Sequence, residues 1–121
     1  MPPTPSRAES IDNERFGTMT WTREADAPPA TMHGFAGYFN ATLYKDVCLS
    51  TEPSTHTPEM HSWFPIFFPL REPVHVRPGQ TVSLSVWRLV RGARVWYEWA
   101  LEEPAPSALH NADGKACCIT L

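Results

Sequence analysis

The sequence predicts an all-β fold, an antiparallel β-barrel or sandwich, from three observations. Two segments, Thr81 to Val90 and Val95 to Leu101, alternate apolar and polar residues at period two across a short turn. Thirteen prolines against six glycines suit strands and loops better than helices. No segment carries helical periodicity, which leaves strands packed on strands as the architecture.

Taken in order, Met1 to Glu9 is rich in proline and polar residues and reads as disordered. Residues 1–10 are thus expected to precede a β-domain over residues 11–121. Phe16 to Thr22 alternates as a short strand with Met19 and Trp21 on one face, and Arg23 to Ala30 is a loop through Asp26-Ala27-Pro28-Pro29. Met32 to Phe39 is apolar on both faces, with Gly34 and Gly37 where a side chain would obstruct packing, so it reads as a strand buried on both sides or lying against a second layer. Asn40 offers a bend, and Thr42 to Thr51 follows with Leu43, Val47 and Leu49 inward and Lys45 at a rim. Glu52 to Glu59 is a loop.

Trp63-Phe64-Pro65-Ile66-Phe67-Phe68-Pro69-Leu70 is aromatic and apolar, but its two prolines argue against a helix or a central strand and for an edge or strand-entry segment. Pro73 to Gly79 holds a short strand and the turn Arg77-Pro78-Gly79-Gln80, whose Pro-Gly pair suits a type II turn. In the cleanest strand Val82, Leu84 and Val86 face one side and Thr81, Ser83 and Ser85 the other. Arg91-Gly92-Ala93-Arg94 makes its hairpin, and the return strand places Val95, Tyr97, Trp99 and Leu101 on one face. A last hairpin is expected through Asn111-Ala112-Asp113-Gly114, ending in Ala116 to Leu121.

Bulk properties narrow the function. A net charge of −3 without basic blocks supplies no field for direct nucleic-acid binding. Pro65, Pro69 and Pro73 interrupt the one apolar run, so no membrane span is expected, and the N-terminus lacks an apolar signal region. Three cysteines, Cys48, Cys117 and Cys118, are an odd number with a vicinal pair poorly placed to bridge itself, which fits a reduced intracellular protein. Cys48 reads as an inert core thiol rather than a nucleophile. The histidines at 33, 56, 61, 75 and 110 lack the short spacings of a zinc site, so no metal is expected. Trp87, Trp96 and Trp99 alternate around a hairpin and read as packing on two faces.

Three stretches carry a family resemblance: His33-Gly34-Phe35-Ala36-Gly37-Tyr38-Phe39, Met60-His61-Ser62-Trp63-Phe64-Pro65 and Val95-Trp96-Tyr97-Glu98-Trp99-Ala100. Together they resemble the C-terminal β-barrel, the oligomerisation domain, of the protein arginine methyltransferases, in their type II, symmetric-dimethylating branch. The resemblance runs from about Ser10 to Leu121 and needs no gap from His33 onward.

That resemblance implies an S-adenosylmethionine-dependent enzyme that methylates arginine in histones, Sm-type and other arginine- and glycine-rich proteins. The donor-binding glycine-rich turn has no counterpart here, since the glycines stand alone at 17, 34, 37, 79, 92 and 114. The paired glutamates that grip arginine are also missing, because Glu102-Glu103 reads as a proline-flanked connection. The chain is therefore expected to be a substrate-cover and oligomerisation part of the enzyme, its barrel incomplete at the N-terminal strands. By itself it is expected to bind no cofactor and to be inactive. Its implied partners are the remaining domains of the methyltransferase, other protomers, arginine-containing protein substrates, and a WD-repeat protein that binds a region absent here. The implied setting is cytoplasmic and nuclear. The rival reading is a stand-alone β-sandwich module that binds peptides without catalysis.

Site residues follow from the same resemblance. In the family a barrel loop places a tryptophan against the substrate arginine, and that position is Trp63. A guanidinium is planar, weakly hydrated and always charged, so it stacks on an indole face for about 0.5–2 kcal/mol. Ser62 stands where the asymmetric enzymes carry a histidine, and a serine leaves room for methylation of the second guanidino nitrogen. Phe64 lies beside the substrate backbone or packs under the loop.

Overall fold

The computed structural model describes residues 12–60, 63 and 65–120. Strands dominate: β1 Arg15–Thr22, β2 Ala30–Gly37, β3 Asn40–Tyr44, β4 Val47–Ser50, β5 Ile66–Val76, β6 Thr81–Arg91, β7 Arg94–Glu103 and β8 Ile119–Thr120, with one 3-10 turn at Ala112–Gly114. The all-β, antiparallel expectation holds. The chain divides into two compact units, one made of the described residues through Ala30 with those from Val76 onward, the other of Thr31–His75.

The first unit is an open four-stranded sheet ordered β1-β6-β7-β8. Antiparallel register sets Met19 beside Leu84 and Leu84 beside Leu101. Leu84 and Leu101 are 2% and 1% exposed, and each full burial contributes about 1.5–3 kcal/mol. On the opposite face of the β1–β6 pair, Thr18 Oγ1 lies 3.0 Å from Ser85 Oγ and Thr20 Oγ1 lies 3.3 Å from Ser83 Oγ. These cross-strand hydroxyl pairs satisfy Ser83 and Ser85, which are both buried. All eight residues of β1 are exposed, so the face that Met19 and Trp21 share with the buried Val82, Leu84 and Leu101 opens to solvent at this strand.

Turn chemistry decides the connections. The Gln80 N–H donates to the Arg77 carbonyl at 3.1 Å with Gly79 at φ 77, the geometry expected of a Pro-Gly turn. Gly92 at φ 60 opens the two-residue Gly92-Ala93 hairpin between the paired Arg91 and Arg94. Glu102-Glu103 belong to the end of β7, not to a connection, and the register shift between Ser83 and Leu84 passes over Glu102. The expected hairpin at Asn111 to Gly114 is instead a 3-10 turn clamped by Asn111. That side chain donates to the Tyr97 and Cys117 carbonyls and accepts from the Ala116 and Cys117 amides. The final strand shrinks to Ile119–Thr120, paired with Val95 and Arg94, while Ala116 to Cys118 run without ladder bonds.

The second unit holds two strand pairs, β2 with β5 and β3 with β4. β2 is not buried on both sides; Thr31, His33 and Ala36 are exposed. Its glycines do mark close approach. A Cβ on Gly34 would stand 2.5 Å from the Phe68 carbonyl oxygen, and one on Gly37 would stand 2.8 Å from the Phe68 ring. β5 is one strand of 11 residues running through Pro69 and Pro73, longer than expected, with Phe68, Leu70 and Val76 buried at period two. Among the described residues β5 pairs with β2 on one edge only, and proline is tolerated at strand positions whose N–H would point away from the partner strand.

Thr42 to Thr51 is not a single strand. It folds as the β3–β4 hairpin about Lys45-Asp46, with Lys45 at φ 52 and its Nζ 5.2 Å from the Tyr44 ring centroid. Leu43 and Val47 are exposed rather than inward, and so is Cys48, which is not a core thiol. Period two fitted both a long strand and a tight hairpin here, and the lysine rather than a glycine concealed the turn.

Candidate functional site

Trp63 precedes β5 and is 50% exposed. Phe39, in the link between β2 and β3, meets it edge-on, with ring centroids 5.5 Å apart and planes at 62°. Edge-to-face contact directs the positive rim of one ring at the electron-rich face of another, which fixes the orientation of both. Half of the indole stays open.

A hydrogen-bonded loop holds Phe39. Thr51, fully buried at 0% exposed, donates its N–H to the Phe39 carbonyl at 2.9 Å, and its Oγ1 accepts the Phe39 N–H at 2.9 Å. The pair continues the β3–β4 ladder beyond Asn40↔Ser50, with a side-chain oxygen standing in for a backbone carbonyl. Ser50 anchors the next turn. Its N–H donates to Thr57 Oγ1 at 2.9 Å, its carbonyl accepts the Thr57 N–H at 3.0 Å, and its Oγ lies 2.8 Å from Thr55 Oγ1. A run of serines and threonines that reads as an ordinary loop is thus closed on itself, because short hydroxyls satisfy backbone groups that no strand reaches.

Ser62 and Phe64, the other residues assigned to substrate contact, lie outside the described residues. Phe39 and Thr51 were not singled out by sequence. Neither carries a local signal, since the contact joins segments far apart in the chain.

A second polar cluster sits on β7. Glu98 is 8% exposed, and its Oε2 accepts the Trp96 indole N–H at 2.7 Å and the Asp113 N–H at 2.9 Å. Trp96, 3% exposed, lies under the Arg94 guanidinium, whose carbon stands 4.9 Å from the ring centroid, and Arg91 stands at 5.8 Å. Gly114 packs so closely on the indole that a Cβ would stand 2.8 Å from it. The carboxylate already serves two protein donors, so its chemistry is to tie the 3-10 turn to the sheet. Trp99 stacks on His110 at 5.6 Å and 12°, and Trp87 meets Phe16 at 5.1 Å, so the tryptophans after Trp63 are packing residues, Trp87 and Trp96 on one face of the sheet and Trp99 on the other. Among the described residues no group of three His, Cys, Asp or Glu side chains is arranged to hold a metal ion.

Comparison with known proteins covers nearly the whole chain. The family model described as the PRMT5 oligomerisation domain matches residues 3–119. Protein arginine N-methyltransferase 5 of Xenopus laevis is 45% identical over 117 residues, which are 97% of this chain and 18% of the relative. The Drosophila melanogaster protein of the same name is 48% identical over 111 residues, 91% of this chain and 18% of that protein. Protein arginine N-methyltransferase skb1 of Schizosaccharomyces pombe is 37% identical over 122 residues, covering 89% and 19%. The chain therefore spans about a fifth of the length of these relatives.

Proposed function

Because the chain belongs to the PRMT5 oligomerisation domain family, we propose that it covers the substrate-arginine site of a type II protein arginine methyltransferase and joins protomers of that enzyme. In the full-length enzyme S-adenosylmethionine, bound by another domain, supplies the methyl group. A guanidino nitrogen of an arginine in a histone or other arginine- and glycine-rich protein receives it. The residues of this chain do no bond-making. Trp63 lays its indole against the guanidinium and keeps it planar and oriented, and the aromatic wall excludes water from the carboxylates that another domain contributes. Ser62 leaves room for the monomethylated guanidinium to turn and present its second nitrogen, and Phe64 lies by the substrate backbone. The enzyme works in cytoplasm and nucleus, and its WD-repeat partner engages a part of the enzyme other than this domain.

The observation that supports this reading is Trp63 itself, a half-exposed tryptophan braced edge-on by Phe39. A tryptophan needed only for packing would bury more of its ring. The test is Trp63→Ala in the full-length enzyme. Methylation should fall at least about tenfold in kcat/KM while S-adenosylmethionine binding stays intact, because the loss is one of substrate positioning. Activity within about twofold of the parent, with the enzyme folded, overturns the reading.

A further inference from the structure

We infer that Phe39 and Thr51 are positioning residues for arginine methylation, acting through Trp63; the inference rests on the reading of Trp63 as the substrate wall. An indole that is 50% exposed has few protein atoms to select its rotamer. The edge contact from Phe39, at 5.5 Å and 62°, is the ring contact that orients it. Phe39 is itself 40% exposed, so its placement cannot come from burial. It comes from the backbone. Thr51 grips both polar groups of Phe39, the N–H through Oγ1 and the carbonyl through its own N–H, each at 2.9 Å. Thr51 in turn follows Ser50, which the Thr55 and Thr57 hydroxyls hold in place. The order of dependence runs from the hydroxyl network around buried Ser50 and Thr51, to a backbone clamp, to one aromatic edge, to the indole that meets the guanidinium.

Stacking needs the indole plane within a narrow range of the guanidinium plane. A misplacement of about 1 Å at a reacting group costs up to about a hundredfold in rate, so a modest loss of orientation is visible in kinetics. Phe39 and Thr51 touch neither substrate nor donor in this scheme.

The experiment measures steady-state methylation of an arginine- and glycine-rich peptide by the full-length enzyme, normalised to S-adenosylmethionine-binding sites. Phe39→Leu keeps apolar bulk and loses the aromatic edge; Thr51→Val keeps shape and loses the hydroxyl. Both should lower kcat/KM about three- to tenfold with the donor dissociation constant unchanged, and Phe39→Tyr and Thr51→Ser should restore it. Normalisation to donor sites removes any loss of intact donor-binding enzyme, and recovery in Phe39→Tyr and Thr51→Ser separates a loss of positioning from a loss of this domain's fold. Should Thr51→Val fail to fold, Phe39→Leu decides alone, since Phe39 is 40% exposed and leucine keeps its apolar bulk. Parent-like kinetics in Phe39→Leu, measured beside a Trp63→Ala enzyme that is impaired, overturns this inference and leaves the substrate-wall reading standing. An unimpaired Trp63→Ala enzyme overturns the reading and this inference with it.

Discussion

Glu98 is a buried acid whose work is structural, and the two donors on its Oε2 allow that to be measured. Glu98→Leu leaves the Trp96 indole N–H and the Asp113 amide without acceptors, at about 1–3 kcal/mol each, so thermal unfolding should begin markedly earlier. Glu98→Gln keeps an oxygen for both and should cost far less; equal losses in the two variants would show that charge, not acceptance, matters here. Ser62→His tests product choice. In the full-length enzyme a bulkier donor beside the guanidinium restricts its rotation, so the ratio of symmetric to monomethylated arginine should fall, or the rate should fall more than stability does. An unchanged rate and product distribution by mass spectrometry would remove Ser62 from that role. At this scale the role given to Trp63 came from the family resemblance, and only its place at the entry to a strand was legible, because an aromatic run broken by prolines cannot be a helix or a central strand. Phe39, Thr51 and Glu98 were not. The first two act through a contact between distant segments, and Glu98 shares a strand face with Trp96 in a period-two pattern that any amphipathic strand would show.

Among the elements, the β6–β7 hairpin was read almost whole, because strong alternation and an Arg-Gly-Ala-Arg turn agree on one register. The β3–β4 hairpin was missed because Lys45 takes a left-handed conformation that glycine or asparagine would have announced. β2 was placed well but its burial was overestimated: Gly34 and Gly37, on opposite faces of the strand, each admit a close neighbour while Thr31, His33 and Ala36 stay exposed. That distinction yields a paired prediction. Gly34→Ala puts a methyl 2.5 Å from a backbone oxygen on β5, so the strand must move, and the loss should be about 1–3 kcal/mol. Gly17→Ala, on β1, meets nothing within 4 Å and should leave stability unchanged or raise it by up to about 1 kcal/mol. Denaturant midpoints of the two variants separate the cases, and a Gly34→Ala protein as stable as its parent would mean that the approach of β5 to β2 is not a tight one.

At the scale of the whole molecule, apolar surface is out of proportion to a solitary soluble domain. In one unit the edge strand β1 exposes Phe16, Met19 and Trp21; in the other Leu43, Tyr44, Val47, Trp63, Ile66 and Phe67 are each about half or more exposed, from 49% to 67%. Scattered exposed apolar residues are ordinary, but sets of this size mark surfaces meant to be covered. Among the described residues β1 is an edge of its sheet, and it carries no lysine or proline to discourage another strand from pairing with it. Membership of an oligomerisation-domain family gives the surplus a use, since a further protomer can supply matching surface. The isolated 121-residue chain should therefore self-associate with rising concentration and unfold broadly. Co-expression with the donor-binding part of the enzyme should suppress both behaviours. Sedimentation velocity across a concentration series reports the first and calorimetry the second. A monodisperse monomer that melts sharply above about 55 °C, within the range of intact mesophilic domains, would show that these surfaces need no cover and that the chain is a self-sufficient module.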